Sequence, residues 1–242
     1  MGQYYHGVIL AKSINENKEI KVEKSMSSWT YNNGSKLMEH SYLNNHYVKE
    51  FEKLLANEYF GFPFAWVGDY ADDKYGVDVY TLAGKYITEY ANQRASERGW
   101  KPVEEYVGFG KDFVDENGDY HDVDELFDIT PKETLLKEKY QYIVNLDKKM
   151  FIRMPKESKE KDKYGYTKMT IHPLPLLCAV GNQRGGGDYY GRNETLVGSW
   201  AYDRIGVTNE LPSDITTELV AVFEESWNDD TIRVNDFAYK EI

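Results

Sequence analysis

Residues 140–154 read YQYIVNLDKKMFIRM. Two short runs of aromatic and branched residues flank Asp147, Lys148 and Lys149. An apolar run, a polar turn and a second apolar run make a hairpin. The start of the chain repeats the pattern. Residues 4–11 (YYHGVILA) read as a strand and 19–26 (EIKVEKSM) as its partner across SINENK, with Ile20, Val22 and Met26 on one side. Residues 64–67 form a short buried strand that leaves the sheet at Gly68-Asp69. TKMTIHPLPLLCAVG (167–181) enters as a strand, is broken by Pro173 and Pro175, and continues as a short helix over 176–180. Residues 196–207 read as a further strand.

Helices lie between these hairpins. Over residues 44–57, Val48, Phe51, Leu54 and Leu55 share one stripe. KYITEYANQRASER (85–98) is helical and stops at Gly99. TPKETLLKEKY (130–140) carries Thr130, Pro131 and Glu133 at the positions of a capping box. In residues 214–226, Ile215, Leu219, Val222 and Phe223 suit a helix, while the branched residues suit a strand equally. Hairpins mixed with separate helices predict an α+β fold, with a mixed, mainly antiparallel sheet and several packed helices in a single domain over 1–242. Residues 111–128 hold eight acids and one lysine. Asn117-Gly118 there predicts a type I′ turn, making 100–130 an acidic hairpin insertion. The polar segment 155–166 is expected to be a mobile loop.

At 242 residues the chain can bury a large core without disulfide or metal. Its single cysteine, Cys178, fits a reducing cytoplasm. No signal segment or membrane-length apolar run is present in the sequence. A net charge of −12 argues against bare nucleic acid as a partner, but leaves room for a local basic pocket. Oligomeric state is open at this point.

The chemistry concentrates in four short stretches. GNQRGGGDYYG (181–191) has glycine spacing near that of a phosphate loop, but Gly187 and Asp188 stand where Lys and Ser or Thr are required. The dinucleotide-binding fingerprint also fails. What remains is an anion nest of Gly185, Gly186 and Gly187 N–H groups with Arg184 and Asp188; a plain flexible turn explains the same glycines. GSKLMEHS (34–41) puts Lys36, Glu39 and His40 on one helical face, an acid/base set or simply a solvated helix start. WVGDYADD (66–73) offers Trp66 for stacking and Asp69 and Asp72 at a strand exit. GSWAYDRI (198–205) adds Asp203. No metal site is expected, because neither the calcium-loop nor the zinc-ligand spacings are met.

MGQYY at the start, GSKLMEHSY, WVGDYAD, YIVNLDKKMFI, HPLPLL with AVGNQRGGGDY, and VGSWAYDRI together resemble a family of proteins carried by bacteriophages and prophages. The likeness covers roughly residues 1–73 and 140–206. It carries no assigned activity or catalytic residue. It implies expression in the cytoplasm of a bacterial host and a part in the contest between phage and host. The expected function is binding of a small anionic, nucleotide-like ligand in a composite pocket, without a cofactor, to counter host defence. One alternative is a metal-assisted hydrolase or nucleotide-processing enzyme using Asp69, Asp72, Asp188 and His40, the only case that calls for Mg²⁺. The other is an acidic mimic of nucleic acid that docks on a host protein.

Overall fold

The computed structural model describes residues 1–12, 20–74, 76–103, 113–161, 164–225 and 235–242. Among them the strands are β1 (Tyr5–Leu10), β2 (Val22–Met26), β3 (Phe62–Gly68), β4 (Lys101–Pro102), β5 (Phe113–Val114), β6 (Tyr120–His121), β7 (Tyr142–Asn145), β8 (Met150–Arg153), β9 (Ala179–Val180), β10 (Arg204–Thr208), β11 (Thr217–Val220) and β12 (Ala238–Glu241). The helices are α1 (Leu37–His40), α2 (His46–Ala56), α3 (Val79–Glu97), α4 (Lys132–Leu135) and α5 (Pro173–Leu177).

Nine strands make one sheet, ordered β12-β11-β8-β7-β10-β3-β1-β2, with β9 paired to the far half of β3. The pairings are antiparallel except β11 with β8 and β3 with β9. The fold is α+β, as the hairpin pattern predicts. β7 and β8 pair Ile143 with Ile152 and Val144 with Phe151, and the turn is closed by Lys149 in the left-handed region.

The centre of the sheet is buried on both faces, which is why its strands read as unbroken apolar runs. On one face Tyr5, Ile9, Phe64 and Trp66 meet Val48, Phe51 and Leu55 of α2 and Leu174 and Leu177 of α5. On the other, Val8, Leu10, Ala65 and Val67 meet Val79 and Ala83 of α3. The two longest helices, α2 and α3, each start at a side-chain cap. Asn45 Oδ1 accepts from Tyr47 N (3.0 Å) and Val48 N (3.3 Å), and Asp78 Oδ1 accepts from Thr81 N (2.9 Å).

Several local expectations are corrected. A register shift between Ile9 and Leu10 places a bulge at Glu23, so Met26 faces the α2 side while Ile20 and Val22 face α3. The connection over 13–19 lies outside the described residues. Thr130 does not cap α4. Its hydroxyl donates to Glu50 Oε1 (2.9 Å) and accepts from Lys53 Nζ (2.7 Å), so a tertiary contact replaces the capping box. Pro173 and Pro175 do not precede a helix but lie in the first turn of α5, where their missing N–H groups cost nothing. No strand runs through 167–171 beyond isolated bridges, and the strand expected over 196–207 begins only at Arg204. Residues 217–220 settle as strand β11.

The acidic segment forms a second, three-stranded sheet, β4-β5-β6. Phe113 and Leu126 pack on Ala91 and Ala95 of α3. Its turn is not type I′: Gly118 alone takes a positive φ, and Gly118 N donates to Asp115 O (3.2 Å), a type I turn closed by a left-handed glycine. Residues 104–112 lie outside the described set.

Candidate functional site

The glycine loop folds around its own anion. Asp188 is buried, and its Oδ2 accepts from Arg184 N (2.9 Å) and Gly185 N (3.1 Å). Oδ1 accepts from the Tyr5 hydroxyl (3.0 Å). With its amide nitrogen turned toward its acceptors, Gln3 donates to Asp188 Oδ2 (3.1 Å) and Gly181 O (2.7 Å). The remaining backbone is also engaged: Gly186 bonds to Met1 and Gln3, and Gly187 O accepts from Met38 N. The glycines are required by close approach. A Cβ on Gly185 would meet Gln3 backbone at 2.7 Å, and Gly187 combines φ +85 with the Lys36 stem at 2.3 Å.

The structure brings together three of the four expected segments, 34–41, 66–73 and 181–191, and pairs their charges internally. The Arg184 guanidinium forks onto Asp72 (2.8 and 2.5 Å), which lowers the Asp72 carboxyl and raises the arginine. Asp69 Oδ1 accepts from Tyr4 N (3.0 Å). Lys36 pairs with Glu39 at 3.0 Å. Burial pushes the Glu39 carboxyl up, but the Lys36 N–H and ammonium outweigh it, leaving the group below its ordinary value.

His40 and Trp66 are core residues, correcting their reading as ligand contacts. Both have 0% exposure. Trp66 Nε1 donates to His40 Nε2 (2.7 Å), so the ring proton sits on Nδ1 and is given to Gly34 O (2.9 Å). Burial lowers the His40 pKa to about 4. The solvated helix start holds for Lys36 and Glu39, which are partly exposed, and fails for His40, which points inward. Asp203 is separate: it accepts from Asn145 Nδ2 (2.7 Å) and pairs with Lys148 beside the β7–β8 turn. Its backbone meets Phe64, five residues and roughly 16 Å along β3 from Asp69. Among the described residues no group of three His, Cys, Asp or Glu side chains is placed to hold a metal ion.

A different place has the form of a binding site. A cleft of about 350 Å³ opens between α2, the segment leaving β8 and the residues before β7. Leu43, Tyr140, Met154 and Pro155 supply its apolar wall, and Lys139, Lys156 and Lys159 its rim. These three lysines are exposed and make no side-chain ion pair among the described residues. The wall is fixed by short bonds: Ser158 N donates to Thr170 Oγ1 (2.8 Å), Asn44 Nδ2 to Glu157 Oε1 (2.5 Å), and Met154 N to Gln141 O (2.8 Å). Part of the 155–166 segment therefore serves as a cleft wall.

The floor is a buried charge network. Lys49 pairs with Glu52 and donates to Glu138 O (2.9 Å), with its ammonium 5.4 Å from the Tyr140 ring centroid. Glu52 Oε1 accepts from His172 Nε2 (2.5 Å), and His172 Nδ1 accepts from Leu174 N (3.1 Å). Burial raises the Glu52 carboxyl, but His172 and Lys49 together hold it below its ordinary value. With both oxygens engaged, Glu52 is a poor base; the network's effect is to orient Lys49.

The sequence reading misses all of these residues. One signal was available: Glu52 follows Val48 by four positions and so falls inside the apolar stripe of α2, where a carboxylate needs a buried partner. Comparison with protein-family models, curated proteins and solved structures found no match to this chain.

Proposed function

We propose that this protein binds a small anionic ligand in the cleft bounded by Lys49, Tyr140 and the three rim lysines. One observation carries the reading. In a chain of net charge −12, four lysines against two glutamates line one cleft, and three of those lysines lack acidic partners among the described residues. The cleft volume falls in the range of ~300–1,000 Å³ usual for small-molecule sites. The expected composite pocket is thereby moved. Its glycine nest, Arg184 and Lys36 are already paired with Asp188, Asp72 and Glu39, so an incoming anion would have to displace them.

The likeness to phage-borne proteins favours sequestration of a host nucleotide-like signal as the form this binding takes in the cell. Calorimetric titration with inorganic pyrophosphate tests the binding itself. Wild type should bind, and the triple variant Lys139→Ala, Lys156→Ala, Lys159→Ala should bind at least tenfold more weakly, with a shallower salt dependence. Equal affinity in the two proteins would refute the site.

A further inference from the structure

We propose that the ligand of this cleft is a nucleoside polyphosphate held with its base inward and its phosphates at the rim, an assignment that rests on the anion-binding reading above. The charge in the cleft is graded. At the floor Lys49 is neutralised by Glu52, so the local net charge is close to zero. An ammonium has three N–H donors; Glu52 and Glu138 O take two. The third suits a neutral acceptor, such as a base carbonyl or ring nitrogen, better than a full anion, which would sit against Glu52.

The middle of the cleft is apolar. Tyr140, Met154, Pro155 and Leu43 make the lining between floor and rim. Tyr140 is a stacking platform of fixed position, since its hydroxyl donates to Glu138 Oε2 (2.8 Å) and Lys49 lies against its ring. The net positive charge lies at the mouth, where Lys139, Lys156 and Lys159 stand against the single carboxylate of Glu157. Flexible lysines there match a chain of phosphates better than a single anion locked in one geometry. A bare polyphosphate uses the rim alone and leaves the apolar wall and the floor donor unused. A nucleoside uses the wall and leaves the rim unused. A nucleoside polyphosphate uses all three.

The test is calorimetric titration of the full chain, at one ionic strength, with tripolyphosphate, adenosine, and the triphosphates of adenosine, guanosine, cytidine and uridine. At least one triphosphate should bind ten times or more tighter than tripolyphosphate, and adenosine should bind far more weakly than either. Tyr140→Leu should bring the ratio of best-triphosphate to tripolyphosphate affinity from tenfold or more down to near one, with an unchanged circular dichroism spectrum and Tm reporting that the variant is folded. Tyr140→Phe should keep most of the discrimination. If no triphosphate exceeds tripolyphosphate, or if Tyr140→Leu weakens both alike, the base-inward assignment is overturned and the anion site stands. If neither tripolyphosphate nor any triphosphate binds, the anion site itself is lost.

Discussion

Asp188 is the internal counter-ion of the glycine loop, and removing its carboxylate should be expensive. Asp188→Ala strands the N–H groups of Arg184 and Gly185, the hydroxyl of Tyr5 and the Gln3 amide, all of which bond to the carboxylate at 2.9–3.1 Å. Hydrogen bonds to a charged group contribute roughly 1.5–3 kcal/mol each. They cannot be summed, because one carboxylate carries one desolvation cost for all four. Breaking a buried charge network by removing one member costs about 3–5 kcal/mol, and that is the loss expected here. For a chain of 242 residues this lowers Tm by roughly 6–20 °C.

Urea unfolding followed by tryptophan fluorescence measures the loss directly, with the slope reporting whether the unfolded state has changed. The deletion also vacates a nest lined by two N–H groups and a phenol. Formate, a carboxylate without a side chain, should therefore raise the Tm of Asp188→Ala in a saturable way and leave wild type unmoved. Asp188→Asn retains an acceptor for the two N–H groups and should lose less than the alanine variant. A loss below about 1 kcal/mol in Asp188→Ala, with no formate response, would show that the loop does not depend on its own anion.

Three further perturbations test other parts of the fold. Gly84 lies inside α3 with ordinary φ and open space where a Cβ would stand, so Gly84→Ala should stabilise by about 0.5–1 kcal/mol in the same urea assay. Gly191→Ala would put a Cβ 2.0 Å from Glu224 O, a backbone atom, and should cost roughly 1–3 kcal/mol. His40 is held neutral, its pKa brought from 6.5 to about 4 by burial, so between those values the unfolded chain binds the extra proton. Stability from this group is full above pH 6.5 and falls by up to about 3 kcal/mol as pH drops toward 4; His40→Gln should remove that part of the loss between pH 7 and pH 5, and an unchanged loss would refute a neutral buried His40.

The fold class was legible because antiparallel hairpins are local. The turn over 147–149 and the runs beside it lie within fifteen residues, so periodicity and turn chemistry decide them together. The parallel pairings of β9 with β3 and of β11 with β8 join residues far apart in sequence, and no local pattern announces them. Tertiary demand also overrode local chemistry at Thr130, whose hydroxyl serves α2 and not the helix it precedes. The same rule governed the site. Arg184, Asp188, Asp72, Lys36 and Glu39 do gather around one loop, a convergence that residue types alone left open. Which charge would satisfy which, however, depends on three-dimensional pairing, and there the carboxylates fill the places an external anion was expected to take. Of the cleft lysines, by contrast, Lys156 and Lys159 sit in a segment that reads as plain polar loop and Lys139 at the end of one that reads as a helix, and only the position of Glu52 within an apolar stripe hinted at the cleft.

The negative charge of the chain and the basic cleft are compatible because they act over different lengths. At physiological ionic strength charges are screened beyond about 8 Å. A nucleic acid strand spans many such lengths and meets the average of the surface, including the eight acids of residues 111–128. A mononucleotide meets only what lies within one or two screening lengths, and in the cleft that is four lysines against Glu52 and Glu157. The overall charge therefore works as a filter on size as well as on sign: it opposes long polyanions and leaves short ones to the local field. Lowering the salt should blunt this filter, since a longer screening length lets the distant acids reach the cleft and moderates the gain that the local lysines alone would give.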